Sequence, residues 1–394
     1  MRERLNFVSA KPLERHRRFA GAKPLRGVAE VIKDWDAHDQ VALPLAGAQP
    51  VKGLKVGRPV STGEPLARNH NPLRGDVHAS INGLIEAINE LEIIIRRDDE
   101  AVGEPPRPID MTGLSAVELA ARLKELGLDP PQLLPGDPLI VSTLEAEPGL
   151  AFSPGLFSEH RETILAGAEA LARLYPGRGI TWAVRRAEDA PAEAETVIVK
   201  GGFPYSLPAL IKKKITGLND PHGQGVFGGR ELHLLGRVFR TGLPLTRMVL
   251  TLAGANYFIP VGARVIDLLT FANLLPSQGD IVIQGGLILG HSLARMERGL
   301  DKSAAAIHLA RRAEFDGPYQ NCRACGQCAR ACPVGLPVDL AAGRQPEEWL
   351  SAPPASILDG CLQCGACALA CPARRPLMSM VRLLPQAAPP SHRF

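Results

Sequence analysis

All eight cysteines of the chain lie between Cys322 and Cys371, in two copies of Cys-x2-Cys-x2-Cys-x3-Cys-Pro. The first is Cys322, Cys325, Cys328 and Cys332 with Pro333; the second is Cys361, Cys364, Cys367 and Cys371 with Pro372. Three closely spaced thiolates in a tight turn face three corners of an iron–sulfur cube, and the fourth, a short helical step further on, reaches a neighbouring cube. This ligand run, the kind found in two-cluster ferredoxins, predicts two [4Fe-4S] clusters with crossed ligand sets. One set is Cys322, Cys325, Cys328 and Cys371; the other is Cys361, Cys364, Cys367 and Cys332. Structural zinc prefers two cysteine pairs with a longer spacer, and a proline after each fourth cysteine is no part of that pattern. A disulfide framework suits short secreted chains, not a long one with its cysteines confined to metal motifs. Ala324, Gly326, Gly365 and Ala366 stand between the ligands, so backbone N–H groups can approach the cluster sulfurs and help set the potential.

A chain of 394 residues has room for several domains around this module. Cysteine confined to cluster motifs predicts a reducing compartment, the cytoplasm. No signal peptide is expected at the start, and no uncharged apolar run reaches the roughly 18 residues of a membrane span. The net charge of +4 is modest. The opening stretch is more basic, with Arg2, Arg4, Lys11, Arg15, Arg17, Arg18, Lys23 and Arg26 against Glu3 and Glu14. Such an arm suits either solvent or an anionic surface. It lacks interleaved aromatics and a reading motif, which argues against nucleic acid.

Taken in order, residues 1–40 read as the basic arm. Residues 41–100 read as a compact domain of short strands, broken at Gly57, Gly63 and Gly83, with the look of a barrel-sandwich (biotinyl/lipoyl-like) module. No lysine lies between Lys55 and Lys124, so a swinging-arm role is absent. Pro105, Pro106 and Pro108 mark a linker. Ser115 to Glu118 is a capping box ahead of a helix with Leu119, Leu123 and Leu126 on one face. Buried strands are predicted at 139–141, 180–184 and 196–199, with a helix from Arg161 to Leu174. This alternation gives residues 101–229 as a Rossmann-like α/β domain. A hairpin over 247–261 and a helix at 265–269 give residues 230–300 as a β-grasp (SLBB-like) unit. A further strand is expected at Ile281–Ile283, and Ser303–Arg312, Ala-rich at its start, is expected as a helix. Residues 301–384 are then the ferredoxin-like dicluster domain, and 385–394 a Pro- and Ala-rich tail. The fold class is α/β multidomain.

Asp76-Val-His-Ala-Ser80 with Gly83, then Leu144-Glu-Ala-Glu-Pro-Gly149, then Gly285-Gly286 to Gly290, and finally the paired cysteine motifs follow one another as in the RnfC family. The chain resembles that family, the C subunits of the Rnf (Rsx) ion-translocating electron-transport complex, over nearly its whole length. More distantly it resembles the flavin-bearing subunit of respiratory complex I. The resemblance implies a peripheral subunit on the cytoplasmic face of the inner membrane. Its implied partners are integral-membrane and other subunits of an Rnf-type complex and a redox donor or acceptor protein. It also places Glu145 and Glu147 where the family has an acidic pair near a nucleotide, although two carboxylates at a strand end equally make a solvated turn. Flavin-binding relatives carry a Gly-x-Gly-Gly-x-Gly-Phe-Pro loop ahead of that strand end. Here the stretch is Gly127-Leu-Asp-Pro-Pro-Gln-Leu-Leu-Pro-Gly136, whose prolines lack the N–H donors a phosphate cradle needs. That departure argues against FMN and NADH as cofactors of this chain. The sequence is therefore compatible with three functions: an electron-transfer subunit, a flavin-dependent NADH dehydrogenase with an unfamiliar loop, and a scaffold with structural clusters.

Overall fold

The computed structural model describes residues 31–312 except 38, 102, 219, 221 and 222, together with 320–343 and 360–378. The basic arm up to residue 30 and the tail from 385 lie outside the described residues. Strand β1 (Ile32–Asp34) falls within the stretch expected as the arm and forms the edge of a six-stranded sheet described below.

Two small antiparallel sheets follow. One has β2 (Gln40–Pro44), β8 (Glu92–Arg97), β7 (Gly83–Ile88) and β4 (Pro59–Val60) in that spatial order; the other has β3 (Gln49–Pro50), β5 (Pro65–Arg68) and β6 (Val77–His78). Val41, Leu43, Val60, Leu66, Ile85, Ile93 and Ile95 on these strands are buried. Gly83 is required where it stands, because a Cβ there would lie 2.1 Å from the Arg96 carbonyl oxygen.

Helix α1 (Ala116–Glu125) starts at the expected capping box, with the Ser115 and Glu118 side chains each bonded to the other's backbone N–H. A four-stranded, wholly parallel sheet comes next: β9 (Leu139–Ser142), β10 (Ile180–Val184), β11 (Glu195–Ile198) and β12 (Val226–Gly228), in the order β11-β10-β9-β12. Every residue of β9 is buried, as a central strand covered on both faces requires. Helices α2 (Ser153–Glu159), α3 (Arg161–Leu174), α4 (Pro208–Thr216) and α5 (Gly229–Thr241) connect or flank the strands. Helices α3 and α5 touch backbone to backbone. A Cβ on Gly236 would sit 1.8 Å from the Thr163 carbonyl oxygen, and one on Gly167 2.2 Å from that of Leu232.

The third unit is the hairpin β13 (Arg247–Leu252) and β14 (Ala255–Pro260), helix α6 (Val265–Phe271), β15 (Ile281–Gln284), β16 (His291–Leu293) and β17 (Ala306–Ala310), in the order β1-β14-β13-β17-β15-β16. The helix expected over Ser303–Arg312 is therefore corrected to a strand. β17 fills the slot between β13, to which it runs parallel, and β15, to which it runs antiparallel. Alanine's helix propensity is a weak preference, and two open strand edges override it. Arg230, buried on α5, ties this sheet to the parallel one by donating to the carbonyls of Ala304 at 2.8 Å and Val249 at 3.3 Å. The molecule is thus a mixed α/β protein with several sheets, and the cysteine-bearing segments follow the last strand.

Candidate metal centre

The two cysteine motifs have one local geometry. Ala324 and Gln363, each two residues past the first cysteine of its copy, are left-handed at φ 50° and 49°, and Gly326 and Gly365 are left-handed at 66° and 77°. Two left-handed residues in so short a span coil the chain around a common centre, and glycine takes the second at no steric cost. The first cysteine's sulfur accepts the same bond in each copy: Ala324 N–H donates to Cys322 Sγ and Gln363 N–H to Cys361 Sγ, both at 3.4 Å. A short helix follows each turn, α7 (Gln327–Arg330) and α9 (Ala366–Ala370), and the two pack together. Leu336 N–H, ahead of α8 (Val338–Ala342), donates to Cys332 Sγ at 3.3 Å.

Around this paired core the cysteines sort across the copies. Cys332 from the first copy and Cys361, Cys364 and Cys367 from the second line one small cavity, together with Val334, Val338, Leu362 and Met378. Burial first, and then the neighbouring thiols, push Cys364 up to about 11 and Cys367 up to about 12. Cys332 acts on both, and on Cys361 as well. In the other set, Cys328 is raised by burial and by Asp339 and Cys371. Such thiols are inert as free side chains and ionise only in exchange for a metal. Among the described residues no three His, Cys, Asp or Glu side chains converge on a single-ion site. Cysteines spread around a cavity wall suit a cube with irons at separate corners, rather than one zinc about 2.3 Å from every sulfur.

The seat of this cavity was not visible in the sequence. Cys364 and Ala366 pack with Phe203, Leu207, Ile288 and Leu289, and Leu362 packs with Ala209 and Leu210 of α4. Ile288 and Leu289 are held from below by Glu147, whose Oε2 accepts their N–H groups at 3.2 and 2.8 Å. Leu287 N–H donates to Pro148 O at 2.9 Å, and Ser206 Oγ to Ala146 O at 3.2 Å. The turn after β9 is therefore the support on which the second cysteine copy rests. Only the glycines of Gly285–Gly290 hinted at a close approach; a Cβ on Gly286 would fall 2.0 Å from the Glu147 carboxyl carbon.

Neither acid of the 145–147 pair lies in a solvated turn. Glu147 is consumed by the loop it clamps, and burial raises its carboxyl above the usual range. Glu145 accepts the Ser153 N–H through Oε1, while Oε2 is cut off from solvent with no hydrogen-bond partner. Burial, with a smaller push from Glu231, raises Glu145 to about 7. It stands at the carboxyl end of β9, where the parallel sheet's connections diverge towards β10 on one side and β12 on the other, the usual crevice for a ligand in such sheets. The loop that would cradle a flavin phosphate does not fit one. Gly127, Leu128, Leu134 and Asp137 spend their N–H groups within the chain, and Asp129 adds a negative charge, paired with Lys302 at 2.8 Å and Arg74 at 3.1 Å.

Comparison with known proteins agrees with the geometry. The family profile of the 4Fe-4S dicluster domain matches residues 318–373. A protein of Serratia proteamaculans, named as the C subunit of an ion-translocating oxidoreductase complex, is 28% identical over 335 residues, 72% of this chain and 47% of the relative. Its namesakes in Erwinia tasmaniensis and Yersinia pestis are 25% and 26% identical, over 75% and 76% of this chain and 44% and 57% of their own lengths. The chain spans about half the length of the curated relatives it matches. With a dicluster module at one end and a likeness running back over about three quarters of its length, the chain is similar to these C subunits of ion-translocating oxidoreductase complexes.

Proposed function

We propose that the protein is an electron-transfer subunit of a membrane-bound complex that couples electron flow to ion translocation, relaying single electrons through two [4Fe-4S] clusters. The observation that carries this reading is the cavity walled by Cys332 together with Cys361, Cys364 and Cys367. In this reading those four hold one cluster, and Cys322, Cys325, Cys328 and Cys371 hold the other. The chain's own part is to supply thiolates, to aim N–H groups at their sulfurs, and to bury one set more deeply than the other, all of which tune potential. One-electron clusters do not perform hydride transfer, so NADH oxidation would need a flavin.

Finer features of the fold support the same reading. The two small sheets favour a barrel-sandwich module, the order β11-β10-β9-β12 a Rossmann-like domain, and the hairpin, helix and returning strand a β-grasp unit. The sheet that holds this hairpin also includes β1 and the strand ending at Ala310. Partners are the integral-membrane and other subunits of an Rnf-type complex and a redox protein. The site of action is the cytoplasmic face of the inner membrane. Among the described residues no helix is long and apolar enough to cross a membrane, so attachment runs through partners, with the basic arm adding up to about 1 kcal/mol per charge near an anionic surface.

Anaerobic purification tests the proposal: about eight irons and matching sulfide are expected, with reversible reduction on redox titration. Zinc without sulfide would refute it, and clusters that never reduce would favour a scaffold. The partnerless Oε2 of Glu145 favours, as a second reading, a ligand in the β9 crevice. Flavin released on denaturing the protein would support that alternative.

A further inference from the structure

The two cysteine sets differ in exposure at one ligand. In the set of Cys332, Cys361, Cys364 and Cys367 none is exposed, and Cys364 is covered by Phe203, Leu207 and the Ile288–Leu289 loop. In the other set Cys328 and Cys371 are buried and Cys322 is half-buried. In the first copy Cys325 is exposed, and Asn321, Arg323, Ala324, Gln327 and Arg330 around it are at least partly open to solvent. Electron tunnelling falls steeply with distance, so this uncovered edge is the shorter path between the chain and another protein.

The same edge is basic. Arg330 Nη2 donates to the Cys325 carbonyl at 2.9 Å, which fixes its guanidinium beside the exposed cysteine. Arg323 donates to the Gln320 side chain, and Gln320 N–H donates to Ala373 O at 3.1 Å, which brings Arg323 to the side where exposed Arg374 follows Cys371. Among the described residues of 320–343 and 360–378 the charged side chains are Arg323, Arg330, Arg374 and buried Arg375 against half-buried Asp339. A thiolate-ligated cube is itself anionic and by itself would repel acidic proteins. Three solvent-facing guanidinium forks around it reverse that bias and suit carboxylates bidentately.

We propose that this face, Cys325 ringed by Arg323, Arg330 and Arg374, is the docking surface for an acidic one-electron carrier protein. The inference rests on the cluster reading above. The transfer itself moves one electron: one side is oxidised by one equivalent and the carrier's cofactor is reduced by one, with no bond made or broken and no proton required.

The test uses the full chain, anaerobic and reconstituted, with iron, sulfide and EPR signals recorded first. An acidic plant-type [2Fe-2S] ferredoxin and basic cytochrome c are the probes. Calorimetric binding of oxidised ferredoxin is expected at low salt, weakening at least about tenfold as salt shortens the Debye length from about 30 Å towards 8 Å. Electron transfer to ferredoxin should slow with added salt, whereas transfer to cytochrome c should quicken; the signs of these slopes do not depend on driving force. Arg323→Glu with Arg374→Glu, which leaves the Arg330 bond to Cys325 intact, should weaken ferredoxin binding at least about tenfold at unchanged iron content and EPR signals. Tighter low-salt binding of cytochrome c, salt-independent ferredoxin binding, or no effect of the double reversal would each overturn the proposal. So would capture by phosphatidylglycerol vesicles through these arginines with ferredoxin indifferent. Absent clusters would sink the cluster reading and this inference with it; full clusters without ferredoxin binding would sink only the docking surface.

Discussion

Glu147 Oε2 stands 2.8 Å from the backbone nitrogen of Leu289, although 142 residues separate the two along the chain. That one bond joins the carboxyl end of the parallel sheet to the loop against which Cys364 packs. Sheet, loop and cysteine turn are stacked, so a change at the first is felt at the last. Glu147→Ala should therefore lower stability by about 1.5–3 kcal/mol, the usual worth of hydrogen bonds to a charged acceptor. It should also shift the EPR signal of one cluster while leaving the other unchanged. Glu147→Gln keeps an acceptor oxygen and should do less of both. Equal disturbance of the two signals would mean that the clamp does not act through Cys364.

The crossed ligation proposed above has a separate consequence. Cys332 belongs to the first motif by sequence but shares its cavity with Cys361, Cys364 and Cys367. Cys332→Ala should damage the same cluster as Cys361→Ala, and Cys371→Ala the same cluster as Cys322→Ala. Iron should fall from about eight towards four in each case. Spectra in which Cys332→Ala and Cys322→Ala lose the same signal would reverse the assignment.

What the sequence disclosed and what it hid follow from the range of the forces involved. Ligand spacing, the Ser115–Glu118 cap and the Arg161–Leu174 helix are decided within a few residues, and the bounds of that helix agree residue for residue. The strand at Ala306–Ala310 is decided by β13 and β15, tens of residues upstream, so local propensity pointed the wrong way. β12 is only three residues long and was hidden in a glycine-rich stretch. The resemblance located Glu145 and Glu147 but treated them as a pair. Burial separates them, one into a clamp and one into an acid with a partnerless oxygen.

Helices α3 and α5 supply a direct test of packing. A methyl group on Gly236 would meet the Thr163 carbonyl oxygen at 1.8 Å and the Gly167 nitrogen at 2.7 Å, both backbone atoms that cannot swing aside. Gly236→Ala should therefore cost about 1–3 kcal/mol as the helices are forced apart. Comparing thermal midpoints of this variant and the wild type checks it. An unchanged or raised midpoint, as alanine's better helix propensity alone would give, would show that the helices do not approach this closely.

Glu145 makes the stability of the fold depend on pH in a defined direction. Its carboxyl is raised from an ordinary 4.5 to about 7, chiefly by burial. Below 4.5 the folded and unfolded chains both hold the proton and the group contributes no pH dependence. Between 4.5 and about 7 the unfolded chain releases it while the folded chain retains it, so the folded state loses ground as pH rises. Above about 7 both are ionised and the loss is constant. At about 1.36 kcal/mol per pH unit, with allowance for partial exposure, the loss amounts to about 1–3 kcal/mol. Glu145→Gln is neutral throughout and should become progressively more stable than wild type across that window, with no further gain above it. Infrared spectra supply the direct reading: a protonated carboxyl band present at pH 6, titrating near 7 and missing from Glu145→Gln. A band that has vanished by pH 5 would mean that the unpartnered oxygen is solvated, and the crevice at the end of β9 would then hold an ordinary carboxylate.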